Sequence, residues 1–194
     1  MKTENSTIKS KFFFISLVVM SICSLFATSV MADDNHLSQT VDVSKLPYEH
    51  IGDYVSQDNE TEDDFLLRIA PLLRKYSDKT GYEACGIIAK DDKHYGVILG
   101  SSHSHIACLN DPSKVLAGMT PTNETIHSHG KHGLRIHTSE ADVIFLGNPF
   151  NPPKYIGGFD LNHFSDTDFD HPGFLATTTG VIYQSGKGKV AVIK

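Results

Sequence analysis

The segment YEACGIIAK (residues 82–90), followed by DDK (91–93) and HYGVILG (94–100), decides how the chain folds. Two short runs rich in apolar and β-branched residues flank three polar residues with turn chemistry, a pattern that predicts a β-hairpin. Working outward, Thr61-Glu62-Asp63-Asp64 precedes Phe65, Leu66, Ile69, Leu72, Leu73 and Tyr76, with Arg74 and Lys75 near the end. Apolar residues at three- and four-residue steps behind an acidic start predict a capped amphipathic helix whose stripe is core. Pro71 should kink or restart that helix, and Gly81 closes it.

Downstream of the hairpin comes a loop with Cys108, Asp111-Pro112 and Gly118, then a strand ending in TIHSHG (125–130). TSEADVIFLG (138–147) reads as a short helix capped by Thr138 or Ser139. The span 148–158, rich in Asn, Pro and Gly, reads as loop. GFLATTTG, VIYQSGKG and KVAVIK then give three β-runs separated by glycine-containing turns. The order helix, strands, loops, strands implies a single-domain α+β fold around a mixed or antiparallel sheet. Residues 33–60 are polar and aperiodic and read as a poorly ordered leader or a surface strap, which leaves 61–194 as the folded domain.

The first 32 residues carry Lys2, Lys9 and Lys11, an apolar run from Phe12, and small Val30 and Ala32 at a V-M-A site. This is the pattern of a secretory signal peptide. Ser16, Ser21, Ser24, Thr28 and Ser29 interrupt the run and argue against a retained membrane anchor. The expected location is periplasmic or secreted. The 194-residue chain has a net charge of −6, and removal of the lysine-bearing leader makes it more acidic, so neither nucleic acid nor anionic lipid suits it as a partner. Only Cys85 and Cys108 remain after the leader, and an exported setting favours a disulfide between them. Two isolated cysteines without a C-x-x-C clasp fit a thiolate metal site or a nucleophile less well.

In TIHSHG, His127 and His129 are two residues apart on one strand and therefore share a face. A hydrolytic zinc site needs three protein ligands, an open fourth position for water and a separate carboxylate to take the proton. An aspartate would complete the ligand set. Glu83, an acid in an otherwise apolar stretch, is the candidate base, against the plain alternative that it faces solvent at the strand start. A second H-S-H, His103 and His105, sits only 20 residues after Glu83 beside the Cys108 loop and is the less attractive pair.

A helix leading into E-A-C-G-I-I, a hairpin, a later H-S-H-G, an S-x-x-D and a strand GFLATTTG followed by VIYQ together resemble the JAMM, or MPN-type, zinc metallopeptidases. The resemblance spans Glu62 to Lys194 and is nearest to the bacterial exported branch, including domains found in secreted toxins. It implies a JAMM-like (cytidine-deaminase-like) mixed sheet flanked by helices. It also implies zinc held by His127, His129 and an aspartate, Glu83 as general base, and a serine to hydrogen-bond the oxyanion. Two S-x-x-D segments compete for the last role. Ser139 and Asp142 lie at the family's short spacing and open a helix. Ser165 and Asp168 require a long insertion but run directly into the GFLATTTG strand, as F-S-x-x-D does in the bacterial relatives, and are preferred. Asp142 also reads as a capping-box acid, and Asp166, Asp168 and Asp170 as a solvated acidic loop.

The resemblance implies a zinc-dependent peptidase or isopeptidase acting on a peptide, a protein or, from the compartment, peptidoglycan stem peptides. Two other classes compete. One is an inactive JAMM-like binding domain. The other is a metal-buffering protein, suggested by 11 histidines.

Overall fold

The computed structural model describes residues 43–130, 135–157 and 160–194; the expected signal peptide lies outside them. Among the described residues no helix is long and apolar enough to cross a membrane.

The predicted hairpin forms β2 (Ala84–Lys90) and β3 (Tyr95–Ser101), paired antiparallel with Lys90 opposite Tyr95. Its turn is closed by Asp91, whose Oδ1 accepts from Lys93 N and His94 N at 2.8 and 2.7 Å. This is the local side-chain-to-backbone chemistry that makes Asp a turn residue. Around the hairpin a seven-stranded sheet runs in the order β1-β3-β2-β4-β7-β8-β9. The added strands are β1 (Glu49–Val55), β4 (Thr120–Ser128), β7 (Gly173–Ala176), β8 (Val181–Gln184) and β9 (Val190–Ile193). Only β4 and β7 pair in parallel, so the sheet is mixed and the fold is α+β.

Helix α1 (Glu62–Thr80) covers one face. Thr61 caps it by accepting from Asp64 N, and Gly81 ends it in the left-handed region at φ 85°, where a side chain would be strained. The helix runs through Pro71 without restarting. Pro71 lies on the exposed side, where the carbonyl it deprives of a partner can turn to water while the buried side stays bonded. Phe65, Leu66, Ile69 and Leu73 are fully buried against Ile88, Leu99, Ile126 and Phe174. Burial of each such side chain stabilises the fold by about 1.5–3 kcal/mol.

The polar stretch 33–60 is not wholly a leader, because from Glu49 it makes edge strand β1 against β3. A register shift between His50 and Gly52 turns both Ile51 and Tyr54 inward, while His50, Asp53 and Val55 face out. Between β4 and β7 the chain makes a long excursion. It holds β5 (Ile136–His137), α2 (Glu140–Leu146) and β6 (Tyr155–Ile156), with β5 and β6 paired to each other, and then a 3-10 turn at Thr167–Asp170. As expected, Cys85 and Cys108 form a disulfide.

Candidate metal centre

The register of the central strands builds the site. Cys85 lies opposite His127 and Ala84 opposite Ser128, so the same register carried one residue further sets Glu83 opposite His129. Residues directly opposite share a face. Glu83, Cys85, His127 and His129 therefore lie on the face away from α1, while Ala84 and Ile126 are in the α1 core. Helix α1 still fixes this end of β4 from behind. Buried Arg74 donates from Nη1 to the carbonyl of His129 at 2.7 Å, and the Ser77 and Ser128 hydroxyls meet at 2.7 Å.

Just past the end of β4, position 130 requires glycine for a steric reason. A Cβ there would collide with the carbonyl oxygen of Gly81 and press on that of His105. The glycine of H-S-H-G thus lets three backbone segments meet behind the histidines.

The excursion returns Asp168 to the two imidazoles. Its Oδ1 lies 3.3 Å from His127 Nε2 and its Oδ2 3.2 Å from His129 Nε2. One ligand atom from each of His127, His129 and Asp168 lies within 4.8 Å of the others, and among the described residues this is the group of three able to hold a metal ion. His129 Nδ1 is hydrogen-bonded to the carbonyl oxygen of Asp160 at 2.5 Å. Since that oxygen can only accept, Nδ1 carries the proton, and in neutral imidazole Nε2 is left as the free ligand atom. His127 Nε2 is buried and has no hydrogen-bond partner. A buried nitrogen so placed beside a carboxylate and a second imidazole fits a cation that all three would ligate.

Glu83, 6% exposed, lines the same cavity of about 610 Å³ as His127, His129, Ser165 and Asp168. Burial drives its carboxyl up to about 8; His129 pulls it down, while Asp168 and Asp142 push it further up. Burial alone would also raise Asp168, but the facing His127 and His129 imidazoles and the Ser165 hydroxyl hold it far below the usual carboxylate range. His129 is pushed down by burial yet ends above its ordinary value because of Asp168 and Glu83. Ser165 donates from N and Oγ to Asp168 Oδ2 at 2.6 and 2.7 Å, so here its hydroxyl orients the carboxylate.

The competing aspartate is engaged elsewhere. Asp142 is fully buried, closes a capping box with Ser139, and accepts from Ser104 Oγ, His105 N and Ser139 N, with His105 Nδ1 also at 2.7 Å. The second H-S-H is thereby accounted for. His105 belongs to the Asp142 network, and His103 pairs with Glu49 at 2.8 Å. The loop carrying Cys108 forms one wall of the cavity through Ile106, Ala107 and Cys108.

Comparison with protein-family models, with curated proteins and with solved structures finds no match to the chain. Sequence reading missed Arg74 and the carbonyl of Asp160. Arg74 stood four residues after Ala70 on the helix stripe, a buried position where an arginine signals a partner. A backbone acceptor such as that of Asp160 leaves no mark in sequence.

Proposed function

We propose that the protein is an exported zinc-dependent peptidase or isopeptidase that hydrolyses a peptide or isopeptide amide, with peptidoglycan stem peptides as a candidate substrate. The observation that carries this reading is the convergence of His127, His129 and Asp168 in one cavity with a buried acid, Glu83, that is not needed as a ligand. Two imidazoles and a carboxylate also suit non-haem iron. The neighbouring Glu83 favours hydrolysis, which needs a proton acceptor beside the open side of the site.

When bound, zinc would lower the pKa of a water and polarise the amide carbonyl. The chain's residues do the rest. His129 is held in one tautomer by Asp160, Asp168 is held ionised, and Ser165 fixes its rotamer. Glu83, buried in the same cavity as the two imidazoles, would accept a proton from the attacking water and return it to the leaving nitrogen. The pairing of other histidines with single carboxylates, as in His50–Asp53, His103–Glu49 and His163–Asp160, favours one ion per chain over metal buffering.

The test is metal analysis beside hydrolysis of fluorogenic peptides and muropeptides. Glu83→Gln should keep one zinc and lose turnover, and His127→Ala should lose both. Zinc-dependent cleavage that persists in Glu83→Gln refutes the assigned base.

A further inference from the structure

The third ligand arrives on an irregular segment, 160–172, whose carboxylate must be held to within a fraction of an ångström if three ligands are to share one ion. Ser165 orients the carboxylate, but something must fix the segment itself to the sheet. Across the sheet Thr125 lies opposite Gly173, and Gly173 opposite Gln184. This row shares the face that bears His127. Gly173 is bare of a side chain where a Cβ would meet the Thr125 hydroxyl at 2.8 Å. Gln184, the last residue of β8, is 1% exposed. Its Nε2 donates to the carbonyl of Asp168 at 2.5 Å and to that of His171, while its Oε1 accepts from Gly186 N at 2.8 Å. The amide thus grips the segment at Asp168 and just past the end of the 3-10 turn, with its own oxygen anchored on the strand side. A buried amide with both ends used is pre-organised, because moving the segment would strand buried donors and acceptors.

We infer that Gln184 is a positioning residue for the metal centre: it sets where Asp168 stands relative to His127 and His129, and hence the affinity of the site for a divalent cation. The inference rests on the metal-site reading above. Partners that orient ligands typically change metal affinity 10–100-fold when removed.

The experiment is calorimetric titration of the metal-free, full folded domain with Zn2+, and with Co2+ to record the ligand-field spectrum. Gln184→Met keeps the length and removes the donors. It is expected to bind 10–100-fold more weakly, with an altered Co2+ spectrum, while Asp168→Asn sets the floor. An affinity within threefold of wild type, with an unchanged spectrum, overturns the role of Gln184. Absence of binding in wild type overturns the metal site itself, and this assignment with it. Should Gln184→Met not fold, the wild-type protein answers by nuclear magnetic resonance. The Gln184 side-chain amide should exchange slowly and shift when Zn2+ is added, while that of exposed Gln57 stays in place. Fast exchange or no shift overturns the inference.

Discussion

Replacing Asp142 by asparagine separates the two aspartates that the sequence offers to the metal. Asp142 receives Ser104 Oγ and His105 N on Oδ1, and His105 Nδ1 and Ser139 N on Oδ2, all within 2.7–2.8 Å. An asparagine keeps one acceptor oxygen and turns an NH2 group towards two donors. At about 1–3 kcal/mol for each buried donor left unpaired, the loss should be about 2–6 kcal/mol at pH 7. In a domain of this size that lowers the melting temperature by on the order of 10 °C. The pH dependence carries its own signature. Burial alone would raise Asp142, but hydrogen bonds led by His105 and Ser104 depress it from 3.8 to about 2. A depressed carboxyl stabilises the fold above its unfolded value and loses that contribution as pH falls through the folded one. Here the contribution is about 2 kcal/mol, lost between about pH 5 and pH 2. Urea melts followed by circular dichroism in excess chelator should show wild type losing about that much more than Asp142→Asn between about pH 5 and pH 2. Zinc binding to the folded variant should remain within a few-fold of wild type. A variant as stable as wild type to within about 1 kcal/mol, or one that folds but has lost zinc, refutes this account of Asp142.

Further outcomes follow from other contacts. Gly130→Ala places a methyl group against the Gly81 and His105 carbonyls and should cost about 1–3 kcal/mol, with weaker zinc binding because His129 is the adjacent residue; thermal melts and metal titration check both. Arg74→Met removes the donor to the His129 carbonyl and the ion pair with Asp78. It should destabilise the domain by roughly 2–3 kcal/mol in urea melts, since a buried carbonyl loses a charged donor. The Cys85→Ser/Cys108→Ser double variant opens a loop with a sequence separation of 23 and should lose roughly 3 kcal/mol on chain-entropy grounds, with faster proteolysis inside 102–112.

The parts of the fold that were legible in sequence are those with a strong period or a strong punctuation mark. Helix α1, the hairpin, β4 and the three last strands fall in this class, as does α2 with its cap narrowed to Thr138 or Ser139, of which the structure uses Ser139. Strand β1 was hidden because an edge strand buries little, and its register shift spoils the alternation that marks a strand. The β5–β6 ladder has two residues on each side, too few for any period. Within the site, His127, His129 and Glu83 were visible as an H-x-H pair and an acid in an apolar run. The choice between Asp142 and Asp168 was not local. Both follow a serine by three residues, and both accept from that serine's backbone N–H. What separates them is that Ser104 and His105 claim one and the returning excursion delivers the other to the imidazoles. Gln184 sits at the end of VIYQ, where sequence gives no hint that its amide reaches the Asp168 segment.

The excursion between β4 and β7 has a temporal consequence. The imidazole of His129 is synthesised 39 residues before the carboxylate it meets, and the parallel pairing of β7 on β4 must close before the trio exists. Until Asp168 has emerged, the two nitrogens lack the carboxylate that faces them in the folded protein, so the trio waits until the later half has docked. Occupancy of the centre would then register that assembly is finished, and free ion in the surrounding compartment would draw the last step of maturation forward by mass action.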